Sequence, residues 1–560
     1  LYSRKAKADC PISLNLIPCA DTIPHLKGLT MSEIRAGEPP VQPSGTSSGA
    51  GFHQKLGLFD ATMLVAGSMI GSGIFIVSAD IARDVGSSGW LLLVWVLTGV
   101  LTVIGALSYA ELAGMMPHAG GQYVFLREAY GPLWGFLNGW TTFLVIQTGF
   151  IAAVGVAFAK FLGVLVPQLG TDYFLYTNVF DQPIVIAIDV RWMAEPLVFF
   201  KRESFKVSSG QLVAVAVAVV LAVINSFGIE QGRWVQNLFT VSKMAGLALL
   251  IVLGLTVAAE ADAIATNFTD IWAGITQTGT FSKVYAIAPW TPLAIVLLLS
   301  GAMVGSLFSA DAWNNVTFVA GEVKNPQRTL PWGLLLGTGA VILLYIMANV
   351  AYLSALPING QEKVDPNSEN AAFQRGIDHA KDDRVGTAVL ERVSPTLGVS
   401  LMAIIIMIST FGCNNGLTIM GARLYYAMAR DGLFFQSCGK LNSYGVPAVG
   451  IWLQCGWAIV LIFSGSYSEL LDYIIFAALF FYILTVSAVF VLRAKQPDLP
   501  RPYRAWGYPV VPALYIVVCA VIMLSLLVAK PVYSWPSFII VLTGIPVYFL
   551  WRNANREAQG

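Results

Sequence analysis

Along the 560 residues of the chain, apolar positions fall into twelve long blocks separated by short polar stretches. The blocks lie near 60–83, 89–115, 132–166, 208–228, 235–258, 291–320, 331–356, 398–427, 446–465, 469–493, 510–529 and 533–551. As helices they are long enough to cross a hydrocarbon core of roughly 30 Å. The pattern therefore predicts twelve membrane-spanning helices. Two blocks break their own pattern. The first contains "GSMIGSGIFI", Gly67 to Ile76, with three glycines and two serines in seven residues. The sixth contains "GSLFSADAWNN", with Asp311, Asn314 and Asn315 in its middle. Glycine weakens a helix by about 1 kcal/mol relative to alanine, and a backbone group stranded in lipid costs several kcal/mol. A span that accepts both has a use for unpaired backbone.

The two breaks occupy matching places. The first span opens one block of five spans and the sixth opens the next. Interrupted hydrophobic segments at corresponding positions of two halves point to a transporter binding site. Unwinding frees N–H groups, which suit a carboxylate, and carbonyls, which suit an ammonium. A zwitterionic amino acid needs both. The competing reading is tight helix packing, since Gly67 and Gly71 have small-xxx-small spacing. The second break favours the binding site.

Composition agrees: 56% of residues are hydrophobic and 12% charged, about half the charge of a soluble chain. A net charge of +1 gives no electrostatic case for a nucleic-acid partner. The six cysteines, Cys10, Cys19, Cys413, Cys438, Cys455 and Cys519, show no metal-ligand or CxxC spacing, and the four histidines are scattered. No catalytic cluster, metal site or cofactor is expected. The chain begins at Leu1, and residues 1–30 are polar without a signal-like apolar run. Translation is expected to start at Met31, which makes residues 1–30 an upstream artefact, and 1–52 is expected to be a disordered tail.

Orientation follows from Lys and Arg in short loops. With the N-terminus inside, the inner loops carry Arg127, Arg233, Lys324, Arg328, Arg430, Lys440, Arg493, Lys495, Arg501 and Arg504. The outer ones carry only Arg83, Lys283 and Lys530. Both termini are thus expected to be cytoplasmic. The long loops 167–207 and 357–397 and the sequon at Asn267 then lie outside.

Five stretches carry a resemblance: "GSMIGSGIFI", "FSADAWNNVTFVAGEVKNPQRTLP", "STFGCNNGLTIMGARLYYAMARDG", "LRAKQPDLPRPYRAWGYPVVP" and "LTGIPVYF". Over about residues 53–551 the chain resembles the amino acid–polyamine–organocation superfamily, most of all the L-type amino acid transporters and their bacterial relatives. The resemblance implies an all-α membrane protein with the LeuT-type 5+5 inverted repeat and helices 1 and 6 unwound at the midplane. The repeats would be 53–258 and 259–493, followed by helices 11 and 12 over 494–551 and a tail at 552–560.

It further implies that Ile70, Gly71, Ser72, Gly73 and Ile74 hold the substrate carboxylate. Phe308, Ser309 and Ala310 would offer carbonyls to the amine, with Phe308 as a gating aromatic. Phe476 and Ala478 would complete the pocket. Lys243 lies inside the fifth span, where a charge is rare. In the resemblance its ammonium takes the place of a bound ion and bridges first-span carbonyls to the hydroxyl of Ser409 or Thr410. That makes sodium coupling unexpected and leaves exchange, facilitated uptake or proton coupling open. Asp311, the one acid near the site, either selects a cationic side chain or caps the unwound segment.

The expected function is sodium-independent transport of neutral L-amino acids across the plasma membrane. Alternatives are a cationic amino acid or polyamine permease, and a sensor without net transport. Animal L-type transporters bind a heavy chain through a cysteine between spans 3 and 4. Residues 167–207 have none, so no covalent heavy chain is expected; the oligomeric state is left open.

Overall fold

The computed structural model describes residues 54–188, 197–365, 368, 370–464 and 467–557. The expected disordered tail, with the expected artefact at 1–30, lies outside the described residues. The body is helical. Its helices are α1 (Leu58–Met69), α2 (Val77–Val85), α3 (Ser88–Met115), α4 (Gln122–Tyr130), α5 (Pro132–Thr141), α6 (Gln147–Leu165), α7 (Ser209–Ser226), α8 (Ile229–Thr256), α9 (Ala261–Phe268) and α10 (Gly279–Ile287). They continue with α11 (Thr291–Ser309), α12 (Pro326–Ala355), α13 (Ala371–Arg375), α14 (Val385–Val393), α15 (Leu397–Arg430), α16 (Ala448–Ser464), α17 (Tyr467–Lys495), α18 (Val510–Ala529) and α19 (Pro531–Glu557). Among the described residues, ten helical segments are long and apolar enough to cross a membrane, and α1 and α16 are shorter apolar helices.

These helices are hydrophobic on both sides, as helices between a core and lipid must be. On α18, Tyr515, Cys519, Ile522 and Leu526 are buried while Leu514, Val517, Val521, Leu524 and Val528 are exposed. Exposed Trp234, Trp290 and Trp506 stand near helix ends, where amphipathic rings favour a membrane interface. Helix starts follow local chemistry. The Ser208 hydroxyl accepts from Gln211 N–H at 3.2 Å while the Gln211 side chain accepts from Ser208 N–H at 2.9 Å, a capping box opening α7.

Three features were not expected. The loop 167–207 contains an antiparallel hairpin, β1 (Phe174–Ile188) and β2 (Leu197–Ser208), pairing Phe174 with Ser208 and Ile188 with Leu197. Its runs of Val, Ile, Phe and Tyr suit a strand. A π-helical turn, Thr142–Ile146, joins α5 to α6, and the Thr148 hydroxyl bonds back to the Phe143 carbonyl at 2.6 Å. The last helix also runs on to Glu557, past the expected end at 551.

The first and sixth apolar blocks do break. Helix α1 stops at Met69, a single 3₁₀ turn spans Gly73–Phe75, and α2 begins at Val77. Helix α11 stops at Ser309, Ala312 adopts φ 64°, and a 3₁₀ helix covers Trp313–Glu322. The start of the first block and the end of the sixth are stitched together. Lys55 and Leu56 N–H groups donate to the Glu322 carbonyl at 2.9 and 3.0 Å, and Lys324 N–H donates to Leu56 O at 2.8 Å.

Candidate functional site

The breaks meet. A Cβ placed on Gly73 would lie 2.1 Å from the Ser309 Oγ and 3.1 Å from its Cα. Only glycine permits this approach. Gly67 is equally confined: a Cβ there would lie 2.1 Å from the Gln236 side chain and 2.2 Å from that of Thr240.

Breaking α1 frees carbonyls, and side chains from three other helices take each one from Gly67 to Gly71. The Lys243 ammonium donates to Gly67 O and Ile70 O, both at 2.7 Å. The Cys413 thiol donates to Ser68 O at 3.0 Å. The Tyr345 hydroxyl lies 3.0 Å from Met69 O and also 3.0 Å from Ser309 O. The Ser409 hydroxyl lies 3.2 Å from Ile70 O and 2.9 Å from Gly71 O. Further on, the Tyr352 hydroxyl donates to Ile74 O at 3.2 Å. The N–H groups that start a helix have no partner within it. Ser72 is the residue before the 3₁₀ turn Gly73–Phe75.

Lys243 sits at the midpoint of the 28-residue α8 and is fully buried. The helix begins six residues before the expected 235. The third acceptor of Lys243 is the carbonyl of Ser409 at 2.9 Å, not the hydroxyl. The hydroxyl of Thr410 bonds within its own helix, to Ile406 O at 2.9 Å.

At the second break the backbone bonds are local. Asp311 N–H donates to Phe308 O at 3.2 Å and Ala310 N–H to Ser306 O at 2.9 Å. The Asp311 carboxylate accepts from the Tyr482 hydroxyl. Tyr482 is itself held by Trp313, stacked at 5.5 Å, and by the edge of Tyr109 at 6.0 Å. Two small cavities of about 20 and 10 Å³ flank this acid, and Asp311, Ala478 and Tyr482 line both. Phe308 stacks face to face on Phe150 of α6, with centroids 4.6 Å apart. Ile70, Ser72 and Ile74 are fully buried beside them. Phe476 is buried, with its ring edge-on to Phe538 of α19.

Other contributors were missed in the sequence. Tyr345 and Tyr352 are seven apart on α12, two turns of one face, which was the available signal. Glu322 and Arg423 form a buried ion pair at 2.8 Å between the sixth block and α15. An arginine in an apolar span is the same kind of signal as Lys243. The amide of Asn267 is not free for a glycan. It donates to Leu353 O and Leu356 O at 2.7 and 2.8 Å, and its oxygen accepts from Ile358 N–H at 2.9 Å.

A large cavity, about 2070 Å³, opens beside the hairpin and is lined by Lys160, Arg384, Asp382 and Ile474 among others, but by no residue of either break. Among the described residues no group of three or more His, Cys, Asp or Glu side chains is placed to hold a metal.

Membrane-length helices around two broken segments in contact define a polytopic membrane protein with a closed polar centre. The chain belongs to the amino acid permease family, whose model matches residues 56–551. It is similar to the mouse large neutral amino acids transporter small subunit 2, being 27% identical over 522 residues, which is 92% of this chain and 85% of that protein. It is also similar to the serine/threonine exchanger SteT of Bacillus subtilis, 27% identical over 504 residues, covering 89% of this chain and 97% of that one. A third relative is the mouse b(0,+)-type amino acid transporter 1, 26% identical over 500 residues, 89% of this chain and 88% of that protein. The family is one of transporters, not enzymes.

Proposed function

We propose that the chain is a sodium-independent carrier of neutral L-amino acids, working by exchange and alternating access. The reading takes the fold as twelve spans in a LeuT-type 5+5 inverted repeat, with repeats at 53–258 and 259–493. Both termini are cytoplasmic and the setting is the plasma membrane. One observation carries the reading. Every carbonyl from Gly67 to Gly71 is bound by a side chain of α8, α12 or α15, while the adjoining amides begin a helix. Such amides, at the positive end of a helix dipole, suit a carboxylate.

The ammonium of Lys243 among three carbonyls does what a bound cation would do there. It balances the oxygens permanently, so no sodium ion is needed. Ile70–Ile74 then receive the carboxylate, and Phe308, Ser309 and Ala310 face the amine. Asp311 accepts from Tyr482 through one carboxylate oxygen and holds the second break, which favours neutral substrates over cationic ones. Relatives named for large neutral amino acids and for serine/threonine exchange support this class. Residues 167–207 contain no cysteine, so a heavy chain linked through this loop is not part of the proposal.

The test uses proteoliposomes in sodium-free buffer, with labelled alanine, serine, leucine and arginine outside. Uptake of a neutral amino acid that requires amino acid inside is the expected result. A strict sodium requirement overturns the role of Lys243, and arginine as sole substrate overturns the neutral pocket. Uptake driven by acid outside replaces exchange with proton coupling. No uptake at all favours a sensor.

A further inference from the structure

We propose that the ring of Phe150 sets the size of the transported side chain and restricts the carrier to small neutral amino acids, the class of glycine, alanine and serine. The inference rests on the neutral amino acid reading and goes one step further, to the residue that decides between small and large.

Space is the first constraint. On the proposed reading the substrate lies against the two breaks, which approach each other at Gly73 and Ser309. Its side chain then needs a direction in which to extend. Phe308 stands at the second break, and Phe150 lies flat against it, 4.6 Å away with the planes 13° apart. Both rings are at least 95% buried. Phe150 also lines the smaller of the two cavities beside Asp311. Those cavities, about 10 and 20 Å³, are each the size that accommodates about one water. A methyl or hydroxymethyl group displaces little more than that. An isobutyl or benzyl group does not fit unless a ring leaves.

Phe150 is not free to leave. The π turn ends just before α6, and an extra residue in a helical turn rotates the helix beyond it. In the resulting register Gln147 and Phe150 lie one turn apart on the same side. Gln147 donates to Leu417 O at 2.7 Å and accepts from Asn315 at 3.1 Å. One residue past Phe150, the Ile151 carbonyl accepts from Asn414 at 3.2 Å. One residue before it, a Cβ on Gly149 would lie 3.0 Å from Ile474 of α17. The backbone on both sides of the ring is therefore fixed against α15 and α17. Ile474 also lines the large cavity. Of the two stacked rings, Phe308 adjoins the break itself, whereas Phe150 comes from a helix that makes none of the bonds to the freed carbonyls. Its removal enlarges the pocket without unmaking the site.

The experiment measures how leucine and phenylalanine compete with labelled alanine, in proteoliposomes, for the unaltered protein, Phe150→Ala and Phe150→Leu. Expected is that the unaltered protein prefers alanine by at least 10-fold over either large amino acid. In Phe150→Ala that preference shrinks by 10-fold or more, and in Phe150→Leu it shrinks less. The ratio within each variant is read, so a change in expression or overall rate does not imitate the effect. If Phe150→Ala does not yield folded protein, Phe150→Leu and Phe150→Met, which keep more bulk, carry the same graded expectation. Leucine competing as well as alanine in the unaltered protein overturns the proposal, as does an unchanged ratio in the variants. Failure of the underlying reading looks different: the unaltered protein then takes up no neutral amino acid, and the size restriction falls with it.

Discussion

The two breaks solve the same problem in opposite ways. At the first, the carbonyls released between Gly67 and Gly71 are bound by Lys243, Cys413, Tyr345 and Ser409, side chains remote in sequence. At the second, the chain satisfies itself nearby, through Phe308–Asp311 and Ser306–Ala310 bonds and an αL residue at Ala312. Asp311 receives one hydroxyl, from Tyr482. The first break is held from three helices and stays open only while they surround it. The second closes mainly on its own backbone and takes one hydroxyl each from α12 and α17. A segment clamped from many sides suits a fixed receptor for a carboxylate, and a turn closed mainly on itself suits a hinge.

The contrast is broken most severely at Lys243. Lys243→Met removes an ammonium with three carbonyl partners; the Ser409 hydroxyl still reaches Ile70 O, but among the described residues no other side-chain bond is seen to Gly67 O. Each buried acceptor left unpaired costs about 1–3 kcal/mol. Uptake is expected to fall by more than about 10-fold, together with a lower melting temperature in detergent. Added sodium is not expected to restore it. Recovery of uptake in sodium would mean that the carbonyls form a cation site that lysine merely fills. Next in size is Gly73→Ala, which drives a methyl into Ser309. Overpacking of this kind costs typically about 1–3 kcal/mol. Here it also pushes the breaks apart, so uptake should drop by about 10-fold while the helical circular dichroism signal is kept. Normal uptake by Gly73→Ala would show that the breaks separate during transport without harm.

The legibility of the site in the sequence divides along the same contrast. Both breaks were visible, because "GSMIGSGIFI" and "GSLFSADAWNN" contradict the composition of their own spans. Lys243 was visible for the same reason, a charge where none belongs. The side chains that hold the first break open were mostly not visible. Tyr345, Cys413 and Tyr352 are ordinary residues of apolar helices, and only the tertiary packing of α12 and α15 on α1 brings them to the carbonyls. Phe150 was hidden in the same way: an aromatic in an apolar span has no mark, and its facing depends on the π turn before it. The hairpin of β1 and β2 is hard to see in the sequence because its register shifts interrupt the alternation that marks a strand.

Tyr345 is where the two modes join, and it sharpens the comparison with the smallest change. Its hydroxyl is within 3.0 Å of one carbonyl from each break, yet it has one proton and donates to one at a time. Tyr345→Phe therefore strands at most one acceptor. The net loss of one neutral hydrogen bond is about 0.5–1.5 kcal/mol, enough for a decrease in uptake of about 2- to 10-fold. The kinetic split tells more than the size. If the hydroxyl ties the hinge to the fixed segment, the maximal rate falls while the substrate concentration for half-maximal uptake barely moves. If Met69 and Ser309 instead depend on Tyr345 to present the site to substrate, the half-maximal concentration rises and the rate is kept. The first outcome fits a receptor clamped from outside and a hinge that swings against it. The second would mean that both breaks serve as receptor, and that the movement lies elsewhere in the bundle.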